Sequence, residues 1–275
     1  MIQFGPFDLI EILGKGGMGE VWSGIHRDQG VAVAVKVLTD EGARDPFFTS
    51  AFRNEVRAVA GLTHPHIVMV LDYGVVSQRA ESDSGGRIVA GSPYLAMELA
   101  HAGSLYPHRG CLEWDEIRDI LLCLLDALGH AHARGVIHRD LKPHNVLLGS
   151  DQDVRPGVKL TDFGLAFAGQ QEGTDDAMGT PRYMAPEQAE GRWRDHGPWT
   201  DLYGLGRVAL ALVWGKPLWP DDDRVAEVPD GFDAWVARLI ARNPMDRFRR
   251  AADAALGLRA LGEAQQTVAE ASEIS

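Results

Sequence analysis

The sequence has only two cysteines and no long uninterrupted hydrophobic run. Cys111 and Cys123 stand apart, without the CxxC spacing of a zinc site, and two isolated thiols provide no disulfide framework. We therefore expect both to be core residues rather than redox groups. No apolar stretch approaches the roughly 18 residues that a membrane-spanning helix needs, so no membrane segment is predicted in this chain.

The chain also lacks an excess of positive charge and a recognisable leader. Its formal net charge is −12, which argues against non-specific nucleic-acid binding, because such binding relies on Lys and Arg neutralising phosphates. Residues Met1–Pro6 contain no basic region followed by an apolar one, so a secretory signal is not indicated and a cytoplasmic location is expected. The sequence gives no indication of the oligomeric state.

The first part of the chain is predicted to be a small antiparallel sheet with one helix. Apolar residues recur at helical steps over Pro46–Leu62, whereas apolar runs alternate with turns elsewhere. The segment Ser77–Ser92, rich in Ser, Gly, Asp and Arg, indicates a mobile insertion; an ordinary long hairpin loop or a docking element are the alternatives. The predicted strands are Phe7–Leu13, Glu20–His26, Val31–Leu38, Ile67–Val75 and Tyr94–Leu99.

The second part, from Gly103 onward, is predicted to be mainly helical. With 275 residues in total, an α+β chain of two lobes around one cleft is expected. The predicted helices are Trp114–Arg134, Thr200–Trp214, Phe232–Arg242 and Ala251–Leu261. Four tryptophans are expected to pack in the core, with an exposed aromatic patch as the alternative: Trp193, Trp199, Trp214 and Trp219.

The run His138–Asn145, followed by Asp162–Gly164, carries the groups that phosphoryl transfer to a hydroxyl needs. Asp140 can accept the hydrogen bond of the attacking hydroxyl. Asn145 and Asp162 can hold Mg²⁺ between phosphate oxygens, and Lys142 can neutralise charge on the transferring group. A polar loop between two strands is the structural alternative.

A glycine-rich segment and a lysine in an apolar strand indicate a phosphate site. Gly14–Val21 fits GxGxxGxV, whose backbone amides can donate to phosphates, and a strand rather than a helix follows, unlike in dinucleotide-binding folds. Lys36 lies in an apolar run and needs a partner, for which Glu55 on the predicted helix is the candidate. Their ion pair would aim the ammonium at the α- and β-phosphates. A snorkelling lysine and a solvated glutamate are the alternatives.

Together these motifs resemble the eukaryotic-type protein kinases, most closely the bacterial Ser/Thr branch. The resemblance covers roughly Phe7 to Leu261 and includes Ala185–Glu187, Asp201 and Arg247. It implies the two-lobed protein kinase fold, a small antiparallel sheet lobe with one helix and a larger helical lobe. It also implies a kinase domain over 1–262 (N-lobe 1–97, hinge 98–102, C-lobe 103–262) followed by a polar tail at 263–275.

The resemblance also implies roles for individual residues. Met97 would lie behind the adenine, the backbone of 98–100 would bind its edge, and Asp201 would anchor the catalytic loop. Glu187 and Arg247 would form a buried ion pair. The implied catalytic residues are Asp140, Lys142, Asn145, Lys36, Glu55 and Thr180. The implied ATP-binding residues are Leu13, Gly14, Lys15, Gly16, Gly17, Met18, Gly19, Val21, Ala34, Lys36, Met97, Glu98, Ala100 and Leu147.

The expected function is transfer of the γ-phosphoryl group of ATP to Ser/Thr hydroxyls of proteins, with autophosphorylation. ATP and Mg²⁺, for which Mn²⁺ can substitute, are the implied cofactors, and Lys142 with Gly179–Met184 resembles the Ser/Thr rather than the Tyr kinases. A nucleotide-binding pseudokinase scaffold and a small-molecule kinase are the alternatives.

Control by phosphorylation is a further expectation. Arg139 would pair with a phosphate on the segment Asp162–Glu187, where Thr174 is the hydroxyl preceding Thr180. Neighbouring acids could instead replace that phosphate, or the loop could contain no switch. The stretch Lys216–Phe232 is shorter than is usual in the family.

Overall fold

The computed structural model describes residues 1–16, 19–38, 50, 52–53, 56, 59–163, 182–218 and 226–261. These residues divide into two compact units. The first contains the described residues of 1–102, together with 149–157 and 163, and the second contains 103–148, 158–162 and the described residues from 182 onward. Among the described helices, none is both long and apolar enough to cross a membrane.

The first unit is built on a six-stranded antiparallel sheet with the order β1-β2-β3-β4-β6-β5. Its predicted helix is confirmed at the described positions, where residues 52, 53, 56, 59 and 60 are helical and Phe52, Val56 and Val59 are buried. The strands are β1 (Ile2–Phe4), β2 (Phe7–Gly16), β3 (Gly19–His26), β4 (Ala32–Leu38), β5 (Val70–Val75) and β6 (Pro93–Glu98).

Two features of the sheet differ from the prediction. Strand β1 was not predicted, because three residues are too few for a periodic signal; its Phe4 is buried edge-on against Tyr94. Strand β5 begins at Val70 rather than Ile67. The backbone before Val70 is bonded partly to side chains, since the carbonyl of Ile67 accepts from Arg155 and the N–H of Met69 donates to the Glu98 carboxylate. One backbone bond to the neighbouring strand remains there, from the N–H of Glu98 to the carbonyl of Met69.

The prediction of a mobile insertion at Ser77–Ser92 is wrong. The segment contains a short helix, α1 (Gln78–Asp83), whose first turn is capped by the hydroxyl of Ser77 accepting from the N–H of Ala80 at 3.2 Å. Ala80 and Ile88 are almost fully buried in the core beneath the sheet, with Phe7, Trp22 and Val35 among their partners. The polar composition of the segment obscured these two apolar anchors.

The second unit is mainly helical, as predicted, around the almost wholly buried helix α4. Its elements are α2 (Trp114–His132), β7 (Val146–Gly149), β8 (Gly157–Leu160), α3 (Pro186–Ala189), α4 (Pro198–Trp214), α5 (Phe232–Leu239) and α6 (Ala251–Arg259). Helix α2 begins where Glu113 donates its N–H to the carboxylate of Glu116 at 3.1 Å, and α4 ends at Gly215, whose φ of 75° suits glycine.

Two predictions of core residues are wrong in this unit. Cys111 is exposed, in the turn before α2, although Cys123 on α2 is partly buried and burial raises the pKa of its thiol. Trp214 is buried as predicted, but Trp193 remains 41% exposed. Trp219 lies outside the described residues.

Glu187 of α3 and Arg247 form a fully buried ion pair in this unit, as predicted. Two bonds of 2.8 Å join the guanidinium to the carboxylate, and both side chains have no exposed surface. Burial acts to raise the pKa of Glu187, but the hydrogen bonds from Arg247 lower it below its ordinary value. The other Arg247 donors bind three carbonyls, at Trp199, Ala241 and Arg242, so all five N–H groups are used.

We expect Arg247→Met to lower the free energy of unfolding by about 3–5 kcal/mol, because it leaves the Glu187 carboxylate buried without its partner. Urea denaturation followed by circular dichroism measures this change. Arg259→Met is the matched control, since Arg259 is exposed on α6 and should change stability by no more than about 0.5 kcal/mol. Equal effects of the two substitutions would contradict the structural role of the pair.

Candidate active site

The predicted catalytic loop, His138–Asn145, is held by one buried carboxylate in the second unit. Asp201, on α4, accepts the backbone N–H of His138 at 2.8 Å and that of Arg139 at 2.7 Å. It also accepts Nε2–H of His132 at 2.8 Å. Burial acts to raise the pKa of Asp201, but the bond from His132 lowers it below the ordinary value. The predicted anchoring role of Asp201 is thereby confirmed.

Arg139 adopts a backbone conformation that is rare for its residue type. Its φ is 67°, in the left-handed region that L side chains seldom occupy. Hydrogen bonds on both sides of the residue stabilise this strained conformation. The N–H of Arg139 donates to Asp201, and its carbonyl accepts Nε2–H of Gln188 at 2.8 Å. The chain turns here, and the following residue is Asp140.

Three of the predicted catalytic side chains meet at Asp140. The ammonium of Lys142 lies 2.9 Å from Asp140 Oδ2, and Asn145 donates through Nδ2 to the same oxygen at 2.9 Å. Asn145 also donates to the Asp140 carbonyl at 2.8 Å. A small cleft adjoins this group, with Tyr183, Met184 and Gly204 among its lining residues.

The loop is joined directly to the residue before Asp162. The N–H of Thr161 donates to the carbonyl of Asn145 at 3.0 Å, and His138 Nε2 donates to the carbonyl of Thr161 at 2.8 Å. Asp162 then has a φ of 60°, and within the described part of the chain it is the second non-glycine residue in the left-handed region, after Arg139. These hydrogen bonds therefore hold together the backbone that carries both predicted metal ligands, Asn145 and Asp162.

The side chains of Asn145 and Asp162 fit a hard divalent cation. Both N–H bonds of the Asn145 amide are donated to Asp140, which leaves its Oδ1 as an acceptor. An amide oxygen and a carboxylate are ligands that Mg²⁺ takes in proteins, usually together with phosphate oxygens.

The glycine-rich segment forms the hairpin between β2 and β3 in the first unit, with Gly16 opposite Gly19. A Cβ at Gly19 would collide with the backbone carbonyl of Val37, so the fold itself requires glycine there. A Cβ at Gly14 or Gly16 would meet no described atom within 4 Å, and neither has a positive φ. Packing within the described fold therefore does not require glycine at these two positions, whereas a ligand that approaches the backbone closely would require it.

Most of the remaining ATP-site predictions lie on or just after strands of the first unit. Lys36 is 8% exposed and faces Val21 across the β3–β4 pair, and Ala34 faces Met97 across the β4–β6 pair. Leu13 and Lys15 are exposed on β2, and Ala100 is buried just after β6. Leu147 lies on β7 in the second unit.

Several predictions fall outside the described residues. They concern Gly17 and Met18 of the glycine-rich segment, Glu55, Gly164, Thr174 and Thr180. The expected ion pair of Lys36 with Glu55 and the expected catalytic role of Thr180 therefore remain predictions.

A cluster of hydrogen bonds beside the predicted hinge, residues 98–102, was not predicted from the sequence. The buried carboxylate of Glu98 is gripped by the guanidinium of Arg155, through Nε at 3.0 Å and through Nη2. Arg155 also donates to the carbonyls of His64 and Ile67, at 3.1 and 2.7 Å. A glutamate ending an apolar strand signals the need for a partner, but nothing in the sequence identifies one 57 residues later.

A second contact comes from the same turn. Asp153 accepts the N–H of His101 at 3.2 Å and contacts the His101 ring through Nδ1. Burial acts to raise the pKa of Asp153, but the bonds from His101 and Ser150 lower it below the ordinary value. The turn 149–157 thus binds residues at both ends of the segment 98–101.

The comparisons with known proteins agree with this geometry. The protein kinase domain family matches residues 7–254. The chain is 35% identical over 280 residues to the serine/threonine-protein kinase PknA of Mycobacterium tuberculosis, covering 93% of this chain and 62% of PknA. It is also 35% identical over 277 residues to PknH of Mycobacterium bovis, covering 92% of this chain and 44% of PknH.

The solved kinase domain of Mycobacterium tuberculosis PknI is similar in three dimensions, with a TM-score of 0.70 at 28% identity. The match covers 94% of this chain and 97% of that domain, which confirms the predicted protein kinase fold. The chain spans about three fifths of the length of PknA and less than half of PknH. With a family match over residues 7–254 and bacterial Ser/Thr kinases among its relatives, the chain belongs to the protein kinase domain family.

Proposed function

We propose that the chain is an ATP-dependent serine/threonine protein kinase whose domain occupies residues 1–262. The observation that carries this proposal is the arrangement of Asp140, Lys142 and Asn145 around one carboxylate, on a loop bonded to the residue before Asp162. These are the groups that phosphoryl transfer needs, and the fold places them side by side.

In this proposal Asp140 orients the acceptor hydroxyl by accepting its hydrogen bond. The neighbouring ammonium of Lys142 lies where it can offset charge on the transferring phosphoryl group. Asn145, held by two bonds to Asp140, and Asp162 would hold Mg²⁺, which supplies charge neutralisation at the phosphates when bound. Positioning and electrostatics then account for most of the rate enhancement.

ATP is proposed to bind along the glycine-rich hairpin, with Lys36 directed at its phosphates. The open space at Gly14 and Gly16 supports this placement, because backbone amides there can approach an anion without interference from side chains. Since ATP is the co-substrate, we expect the domain to act in the cytoplasm.

Serine or threonine is the proposed acceptor. The relatives PknA and PknH carry the name of serine/threonine-protein kinases, and Lys142 follows the pattern of that branch. A pseudokinase scaffold is less well supported, because Asp140, Lys142 and Asn145 form a complete and satisfied group rather than a degenerate one.

We expect Asp140→Asn to lower phosphotransfer from ATP to a generic basic protein by at least about 100-fold, because the hydroxyl loses its hydrogen-bond acceptor. Radiolabelled ATP with phosphoamino-acid analysis measures the rate and should yield phosphoserine and phosphothreonine from the wild type. Asp151→Asn, on an exposed turn, is the matched control and should retain full activity. Undiminished turnover in Asp140→Asn, or no transfer by the wild type, would refute the proposal.

We also propose that Thr174 is an autophosphorylation site whose phosphate pairs with Arg139. The strained backbone of Arg139 is fixed by Asp201 and Gln188, directly before Asp140, which supports a defined starting point for this side chain. Mass spectrometry of protein incubated with ATP and Mg²⁺ should find phosphate at Thr174, and Thr174→Ala should reduce turnover. A fully active enzyme with unmodified Thr174 would contradict the switch.

A further inference from the structure

Arg87, from the segment 77–92, forms an ion pair with Glu20 near the tip of the glycine-rich hairpin. Its Nε donates to Glu20 Oε2 and its Nη2 to Glu20 Oε1, both at 3.2 Å. The same guanidinium lies 5.2 Å from the centre of the Trp22 ring, on the same strand. A forked ion pair and an aromatic surface together restrict a side chain that would otherwise have many rotamers.

Glu20 connects this contact to the hairpin. It faces Lys15 across the β2–β3 pair, directly beside the last pair before the tip, Gly16 with Gly19. Lys15 Nζ lies 3.2 Å from Glu20 Oε1, so one carboxylate joins both strands of the hairpin to Arg87. Burial acts to raise the pKa of Glu20, but the hydrogen bonds from Arg87 and Lys15 lower it below the ordinary value.

The segment that carries Arg87 is itself fixed. The hydroxyl of Ser84 donates to the carbonyl of Glu81 at 2.8 Å and accepts the N–H of Ile88 at 3.0 Å. Ile88, the next residue after Arg87, is 3% exposed in the core of the first unit. Arg87 therefore acts from a packed support rather than from a loose loop.

The contact contributes little to the global stability of the fold. The Arg87 side chain is 43% exposed and that of Lys15 is 61% exposed, and exposed ion pairs have small net effects on unfolding. What the contacts among Lys15, Glu20 and Arg87 do hold together is the two strands of the hairpin beside their last described pair, Gly16 with Gly19. A local effect on ligand binding is accordingly expected without a change in folding.

We propose that Arg87 is a positioning residue for ATP, acting through Glu20 to hold the glycine-rich hairpin in the form that presents its amides to the phosphates. The inference rests on the proposed function, since it concerns how that ATP site is oriented. In this proposal the segment 77–92 increases the affinity for ATP without contacting the nucleotide directly.

The test compares Arg87→Gln with Arg79→Gln, an arginine of the same segment whose ion pair is with Asp83 on the same helix. Arg87→Gln should raise KM for ATP about three- to fivefold, leaving the acceptor KM and the urea midpoint unchanged. Arg79→Gln should match the wild type. In a double-mutant cycle with Glu20→Gln, the two changes should be non-additive, because Arg87 acts through Glu20.

Titration with a fluorescent ATP analogue and Mg²⁺ separates the possible failures. A wild type that binds no ATP overturns both the proposed function and this inference. A wild type that binds ATP, with an unchanged dissociation constant in Arg87→Gln, overturns the inference alone. So do an equal effect of Arg79→Gln, additivity in the cycle, or a loss confined to kcat.

Discussion

The carboxylate of Asp201, buried on α4, accepts the backbone N–H groups of His138 and Arg139, and the geometry of the catalytic loop depends on it. Hydrogen bonds to an ionised acceptor are stronger than neutral ones, and two of them can hold Arg139 at a φ that its side chain disfavours. That turn presents Asp140 to Lys142 and Asn145. The site is thus ordered from the backbone outward.

The same end of α4 joins this network to the buried pair of Glu187 and Arg247. Thr200, the residue before Asp201, donates its hydroxyl to the Glu187 carboxylate at 3.0 Å. Gln188, the residue after Glu187, donates to the carbonyl of Arg139. Adjacent residues of α3 and of the first turn of α4 therefore bind both the structural ion pair and the catalytic loop, so packing of the helical unit and orientation of the site are coupled.

Features formed by residues close together in the sequence could be predicted from it. Features that depend on contacts between distant residues could not. Asp140, Lys142 and Asn145 lie within one short run, and their spacing already implied that they meet. The Arg155–Glu98 and Arg87–Glu20 contacts join residues 57 and 67 positions apart, for which no local pattern exists. The segment 77–92 was mistaken for a mobile loop because two buried apolar residues, Ala80 and Ile88, anchor an otherwise polar stretch.

We infer that Asp201 controls catalysis by ordering the loop, and Asp201→Asn tests this most directly. The amide replaces one accepting oxygen by a donor, so one loop N–H loses its partner and meets another N–H group. Measured kcat should fall about 10- to 100-fold, with the dissociation constant for ATP changed by less than about twofold. A folded Asp201→Asn variant with unchanged kcat would contradict the account.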